Sequence, residues 1–254
     1  MDIKGSCIAS IADEHGPIYV YQTGNSRILS FDGKIYQSCM KINNINGLHL
    51  AYTQAMMAGL FFIPNVKTAT IMGLGAGSMV KNLLNSFPAL DVHAVEYREA
   101  VVKTARKHFY LPDSDRLFIH LDNAVNYIKN TAIKSDIIFS DLYSSEGMEA
   151  KQVQSSYLCD CKNALTEHGV LVLNICNTSL KLREALDQLL IDEFNKQVLR
   201  FAVDEGNTII LAFKSDMPLI EKKSLLTKAQ ALHKQMDIPM ERYAKLLLDR
   251  PSWL

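Results

Sequence analysis

Residues 67–77 read K-T-A-T-I-M-G-L-G-A-G: an apolar run, glycines at 73, 75 and 77, and then a helical pattern that begins at Ser78. Strand, glycine turn and helix in that order are how an α/β protein brings backbone N–H groups close to a nucleotide. Glycines permit a tight turn with no Cβ in the way, and the N-terminus of the next helix carries partial positive charge. A three-glycine turn serves equally well as a plain strand-to-helix connection. The surrounding chain has to decide.

Downstream, strand and helix patterns alternate. Strands are expected at Thr68–Met72, Asp91–Glu96, Arg116–Leu121, Asp136–Ser140 and Val170–Ile175, with helices at Ser78–Phe87, Glu99–Phe109, Asn123–Thr131 and Lys151–Thr166 between them. Repeated βα units with nearly continuous apolar strands predict a parallel sheet covered on both faces. After a helix at Leu180–Asn195, the runs Val198–Val203 and Thr208–Phe213 flank Asp204–Asn207 and read as an antiparallel hairpin. Residues 217–254 read as an amphipathic helical cover. Upstream, Leu48–Phe62 reads as a helix stopped at Pro64. Residues 6–40 read as short β runs (Ser6–Ala12, Pro17–Gln22, Arg27–Phe31, Lys34–Ser38), the last two joined by an Asp32-Gly33 hairpin signal. Four such strands are too little to fold alone and should pack on the main domain or on another copy of the chain. The expected architecture is a Rossmann-like doubly wound, mostly parallel sheet with a C-terminal antiparallel hairpin. A small N-terminal antiparallel β domain (1–47) precedes the nucleotide-binding domain and its helical cover (48–254).

Composition narrows the function classes. The 254 residues are 48% hydrophobic, and 27 basic side chains cancel 27 acidic ones, so no electrostatic footprint for nucleic acid or anionic membrane is visible. No basic n-region precedes an apolar core at the N-terminus, and the longest apolar run, Ala55–Pro64, is far short of the roughly 20 residues that span a bilayer. A soluble, cytoplasmic protein is expected. The five cysteines (Cys7, Cys39, Cys159, Cys161, Cys176) and seven histidines show no metal-ligand spacing, and the cysteines read as buried free thiols.

In open α/β sheets a ligand lies outside the carboxyl ends of the strands, near the point where strand order reverses. Four features fall at such ends. Gly73–Gly77 follows the first strand. Glu96 ends the second, about where an acid binds ribose hydroxyls. Asp122 ends the third, placed either to accept a hydrogen bond from an exocyclic amine or to cap the following helix. Asp141 ends the fourth. Three acids at successive strand ends are hard to explain as caps alone. The turn is G-x-G-x-G rather than G-x-G-x-x-G, and no phosphate-cradling G-x-x-x-x-G-K-[ST] is present. A cationic, phosphate-free nucleoside such as an adenosyl sulfonium fits best.

The sequence resembles the spermidine synthase (polyamine aminopropyltransferase) family, which shares the class I methyltransferase fold. The resemblance runs from about Tyr19 to Phe213. It is carried by Leu29–Gly33 with Gln37, Tyr52, Gly73–Gly77, Val95-Glu96, Leu121–Ala124, Asp136–Asp141, Tyr157 and Gly169–Val172. It implies that Gln37, Gly73, Gly75, Gly77, Glu96, Asp122, Asn123 and Ala124 bind decarboxylated S-adenosylmethionine or S-adenosylmethionine as group donor. Asp141 would orient and help deprotonate an attacking amine with Tyr52 beside it, and Ser144 would stand on the acceptor side. From the residues alone, Tyr143 and Tyr157 are each an open choice between lining the acceptor pocket and packing in the core. The resemblance also implies a homodimer or homotetramer, with a small amine as partner; the Cys and His spacing already leads to the expectation of no metal.

Three departures stand inside these motifs. Ala76 occupies the position of a family Asp that holds the donor's amine. Ser144 stands where a second carboxylate would hold a diamine, and Thr53 replaces a Gln or His. Glu146 or Glu149 are candidate substitutes for the lost acid. Three readings follow: an aminopropyltransferase, a methyltransferase that binds intact S-adenosylmethionine, and a nucleoside-binding relative with little catalysis.

Overall fold

The computed structural model describes residues 3–144, 147–148, 150–176, 180–203, 206–249 and 252–253. The chain opens with β1 (Ser6–Asp13), β2 (Gly16–Thr23), β3 (Ser26–Ser30) and β4 (Ser38–Lys41), an antiparallel sheet in sequential order. Its inner face does not stand alone. Ile18, Val20, Leu29 and Met40 are buried in one cluster with Ala76, Val101 and Phe109 of the main unit. The β3–β4 link differs from the expected two-residue hairpin. The Asp32 carboxylate accepts hydrogen bonds from the backbone N–H groups of Lys34 and Ile35, both at 2.8 Å. That carboxylate-bridged turn widens the loop and moves β4 from Lys34–Ser38 to Ser38–Lys41.

Helix α1 (Ala51–Met56) passes into a 3-10 turn at Met57–Phe62, so the expected single helix is split. Gly59 lowers helix propensity there, and all six residues of the turn are buried. The alternating region follows as β5 (Thr68–Met72), α2 (Ser78–Ser86), β6 (Asp91–Glu96), α3 (Glu99–Phe109), β7 (Leu117–Leu121), α4 (Ala124–Asn130) and β8 (Ser135–Ser140). A two-strand ribbon, β9 (Tyr143–Ser144) with β10 (Gly147–Met148), and a 3-10 turn at Ala150–Val153 intervene before α5 (Ser155–Ala164). They shorten the helix expected at Lys151–Thr166. Strand β11 (Leu165–Cys176) also begins five residues earlier than expected, because Leu165 already pairs with Ser135. Then come α6 (Leu180–Glu193), β12 (Val198–Ala202), β13 (Asn207–Phe213), α7 (Lys222–Met236), α8 (Met240–Asp249) and β14 (Ser252–Trp253).

The large sheet has the order β14-β12-β13-β11-β8-β5-β6-β7. The run β11-β8-β5-β6-β7 is parallel, whereas β13, β12 and β14 are antiparallel. This is the expected doubly wound sheet with its C-terminal hairpin; residues 204–205 of that hairpin lie outside the described residues. The end of the chain was expected to be purely helical, yet Ser252 and Trp253 pair with Arg200 and Leu199 and cover the edge of β12. Helices α1, α2, α3, α7 and α8 contribute side chains to the core on one face. Helices α4, α5 and α6 do so on the other. Strand order reverses beside β5, so the carboxyl ends of β5 and β8 open the crevice where a ligand belongs.

Candidate active site

The glycine turn leaves β5 and is clamped on two sides. Gly73 N–H donates to Val95 O at 3.0 Å, and Gly77 N–H donates to Leu74 O at 2.9 Å. Gly73 has φ +92°, and a Cβ there would sit 2.6 Å from the Asp141 carbonyl oxygen. Gly75 has φ +54°, and its Cβ would meet Ser38 Oγ at 2.7 Å. No side chain fits at either position, which is how the end of β8 and the N-terminal sheet both reach the turn. Ser38 Oγ also accepts the Ala76 N–H at 3.1 Å, while Ala76 itself is fully buried. Gln37, half-buried, precedes Ser38 at this junction, its N–H bound to Leu29 O at 2.9 Å. Gly77 sits at the N-cap of α2 and offers no side-chain partner to the first-turn N–H groups.

Glu96 ends β6. Its carboxylate accepts the N–H of Leu74 at 3.2 Å and of Arg98 at 2.9 Å. Burial raises its pKa, and backbone donors from Arg98, Leu74, Tyr97 and Gly75 work against that rise. Asp122 follows β7, and its N–H is bound to Glu96 O at 3.1 Å. The capping role considered for Asp122 belongs to Asn123, whose Oδ1 accepts the Val125 N–H at 3.0 Å. The Asp122 carboxylate takes only the adjacent Asn123 N–H, at 2.7 Å, among its described hydrogen bonds. Ala124 opens α4. Tyr97 and Leu121, 57% and 54% exposed, flank the two acids with apolar surface.

Asp141 follows β8, with its N–H on Met72 O at 3.1 Å. Asp141 is half-buried, and its carboxyl is surrounded by protein. Burial pushes its pKa up to about 6, against the lowering effect of hydrogen bonds from Asn174 and Tyr52. Asn174 Nδ2 donates to Asp141 Oδ1 at 2.9 Å. The Tyr52 hydroxyl bonds to the same carboxylate, and burial followed by the Asp141 charge holds that phenol well above its usual pKa. Tyr143 comes back from β9 to donate its hydroxyl to Asn174 O at 3.2 Å. Its pKa is likewise raised, first by burial and then by Asp141.

The structure thus brings Tyr52, Asp141 and Tyr143 together, beside the glycine turn. The Ser144 side chain and the residues Glu146 and Glu149 lie outside the described portion. Tyr157, an open choice between pocket and core, is fully buried and binds Ser140 Oγ at 2.9 Å. Ser140 Oγ in turn donates to Gln152 Oε1 at 3.0 Å, so this network props up the strand end from behind. Asn174, Ser38 and Gln152 were missed. The available signal for Asn174 was a polar residue at the carboxyl end of the apolar run Val170–Leu173. Cysteines were expected to be buried, but only Cys161 is: Cys7 is exposed, Cys39, Cys159 and Cys176 are half-buried, and Cys176 lies beside Tyr52 and Tyr143. Among the described residues no group of three or more His, Cys, Asp or Glu is arranged to hold a metal ion. No helix among them is long and apolar enough to cross a membrane.

Residues 49–198 match the model of the spermine/spermidine synthase domain. Over 249 residues the chain is 28% identical to a polyamine aminopropyltransferase of Vibrio vulnificus, covering 93% of this chain and 82% of that one. It is 27% identical over 205 residues to the human eEF1A lysine and N-terminal methyltransferase, covering 73% of this chain but 29% of that protein. Among solved structures, a spermidine synthase in complex with the transition-state analogue AdoDATO superposes with TM-score 0.75 at 18% identity, covering 94% of this chain and 83% of that one.

Proposed function

The chain belongs to the spermine/spermidine synthase family, and from that premise we propose that it transfers an aminopropyl group from decarboxylated S-adenosylmethionine to a small amine. One observation carries the reading: the Asp141 segment packs against the glycine turn, and the Asp141 carboxylate is held by Tyr52 and Asn174.

On this reading Glu96 takes the ribose hydroxyls, Asp122 the adenine amino group, and Gln37 with Gly73, Gly75 and Gly77 frames the nucleoside. Asn123 caps α4 and Ala124 opens it, fixing where Asp122 stands. The acceptor reaches the site as an ammonium ion, which has no lone pair to attack with. Asp141 removes one proton, and the amine then attacks the methylene carbon bonded to sulfur. The new C–N bond forms as the C–S bond breaks, and its electron pair leaves on sulfur as a neutral thioether that needs no proton. Positioning and one base therefore suffice. A proton acceptor with pKa near 6 suits this work at neutral pH: it is mostly ionised and not too weak a base. Tyr143 and Ser144 are assigned to the acceptor side. The same premise carries residues 1–47 as an N-terminal unit on a catalytic unit of 48–254, in a cytoplasmic homodimer or homotetramer.

Methyl transfer from the intact donor is the second reading, favoured by the methyltransferase relative and by Ala76, which provides no carboxylate for a donor amine. Calorimetry decides between them. Decarboxylated S-adenosylmethionine is expected to bind at least tenfold more tightly than S-adenosylmethionine, and mixing with putrescine should release methylthioadenosine. The reverse preference without methylthioadenosine release would favour methyl transfer. If neither sulfonium binds at millimolar concentration, both enzyme readings fail.

A further inference from the structure

Asn174 has contacts that the fold alone does not ask for. It stands in β11, one residue after Leu173, which pairs with Ser140, and directly opposite Ile209 of β13. Its neighbours Val172, Leu173 and Ile175 are apolar core residues, and Asn174 itself is 2% exposed. An apolar side chain would satisfy that position without desolvating a carboxamide. Instead Nδ2 donates to Asp141 Oδ1 at 2.9 Å, and the main-chain carbonyl accepts the Tyr143 hydroxyl at 3.2 Å. The carboxamide oxygen is buried with no hydrogen-bond partner. A buried acceptor left unpaired is costly and calls for an explanation in the working state of the site.

We propose that Asn174 is a positioning residue for Asp141: its amide fixes one carboxylate oxygen, and its free Oδ1 accepts an N–H of the acceptor amine beside that carboxylate. This rests on the reading of Asp141 as the group that takes the amine's proton. It extends that reading to a third contact, since a bound ammonium has several N–H groups to place and one carboxylate cannot take them all. The groups facing Asp141 are Tyr52 from α1, Tyr143 from β9, Asn174 from β11 and the backbone of Gly73, with Cys176 of β11 beside the two tyrosines. Burial keeps both tyrosines protonated through neutral pH. Loss of the Asn174 donor is then felt in Asp141 itself. The carboxylate loses a partner that favours its charged form, so it holds its proton to higher pH.

The test compares wild type with Asn174→Leu, Asn174→Ser and Asn174→Gln, with thermal unfolding to confirm that each variant folds. The Asp141 carboxyl is titrated by NMR with carboxyl-labelled aspartate, and kcat/KM for putrescine is followed against pH. In N174L and N174S the titration and the acid limb of the rate profile should move together to higher pH, by roughly one to two units. N174Q, which keeps the donor, should restore part of the shift. An unmoved Asp141 titration in a folded N174L or N174S overturns the role of Asn174 alone. A titration that moves while the rate profile stays fixed removes Asp141 from proton transfer, and Asn174 with it.

Discussion

At Asp141, the proposed role as base and the stability of the fold pull in opposite directions. Burial lifts its pKa from 3.8 to about 6 in the folded chain, so between those values the native state binds more protons than the unfolded state. The Asp141 contribution to stability therefore falls as pH rises from about 4 to 6 and levels off above. That contribution should drop by about 1–3 kcal/mol across the window. Asp141→Asn never ionises, so the stability difference, variant minus wild type, should grow by a similar amount between pH 4 and pH 7.5 in paired urea titrations, which cancel the other titrating groups. Its turnover should fall by roughly 10²–10⁴-fold. A variant with unchanged turnover would remove the base from the mechanism. Asp141 was legible in the sequence because it ends an apolar strand run after a glycine turn. Asn174 was not: its partner lies 33 residues away, and only the register of β8 against β11 brings the two together.

Elements show the same division between local and non-local signals. The glycine turn was legible because strand, glycines and helix are consecutive, and α3 begins and ends where its periodicity places it. The β3–β4 link misled because Asp-Gly signals a two-residue hairpin, whereas the Asp32 carboxylate binds two downstream N–H groups and widens the turn. The short β9–β10 ribbon has too few residues to show a period. The tight packing of the turn gives a test at this scale. At Gly73 an added Cβ meets a main-chain oxygen of the Asp141 segment at 2.6 Å, which no side-chain rotation can relieve. Gly24 also has positive φ, at +54°, but nothing lies within 4 Å of its Cβ position. Gly24→Ala should therefore cost only the backbone strain, about 1 kcal/mol. Gly73→Ala adds displacement of the Asp141 segment and should cost about 2–4 kcal/mol in urea unfolding, with affinity for the proposed donor down at least tenfold. Equal costs for the two variants would mean that the turn is not clamped.

Across the whole molecule, the N-terminal sheet is fastened to the main unit by two polar pins, one half-buried and one buried, as well as by apolar packing. The Arg98 guanidinium binds both Asp13 carboxylate oxygens, at 3.0 and 2.7 Å, and the Gly16 carbonyl, while its own N–H holds Glu96. The β1–β2 hairpin is thereby tied to Glu96, the acid at the end of β6. Lys81 is the second pin. It rises from α2, is 2% exposed, and donates to the Phe109 carbonyl at the C-terminus of α3 at 2.6 Å and to Met40 Sδ of β4 at 3.1 Å. The negative end of the α3 dipole favours the ammonium, but a carbonyl and a thioether replace its lost hydration incompletely. Burial accordingly pushes its pKa down to about 8 from 10.5. Here the unfolded state binds more protons than the native state between those values, so the Lys81 contribution makes stability rise as pH climbs from 8 to 10.5. Lys81→Met removes the titration. The stability difference, variant minus wild type, should therefore shrink by about 1–3 kcal/mol between pH 7.5 and pH 10.5 in paired urea titrations, which cancel the other titrating groups. A difference that stays constant with pH would show that the ammonium is as well solvated in this junction as in the unfolded chain. The seam between the two sheets would then rest on the packing of Ile18, Val20, Leu29 and Met40 rather than on a charge held at its centre.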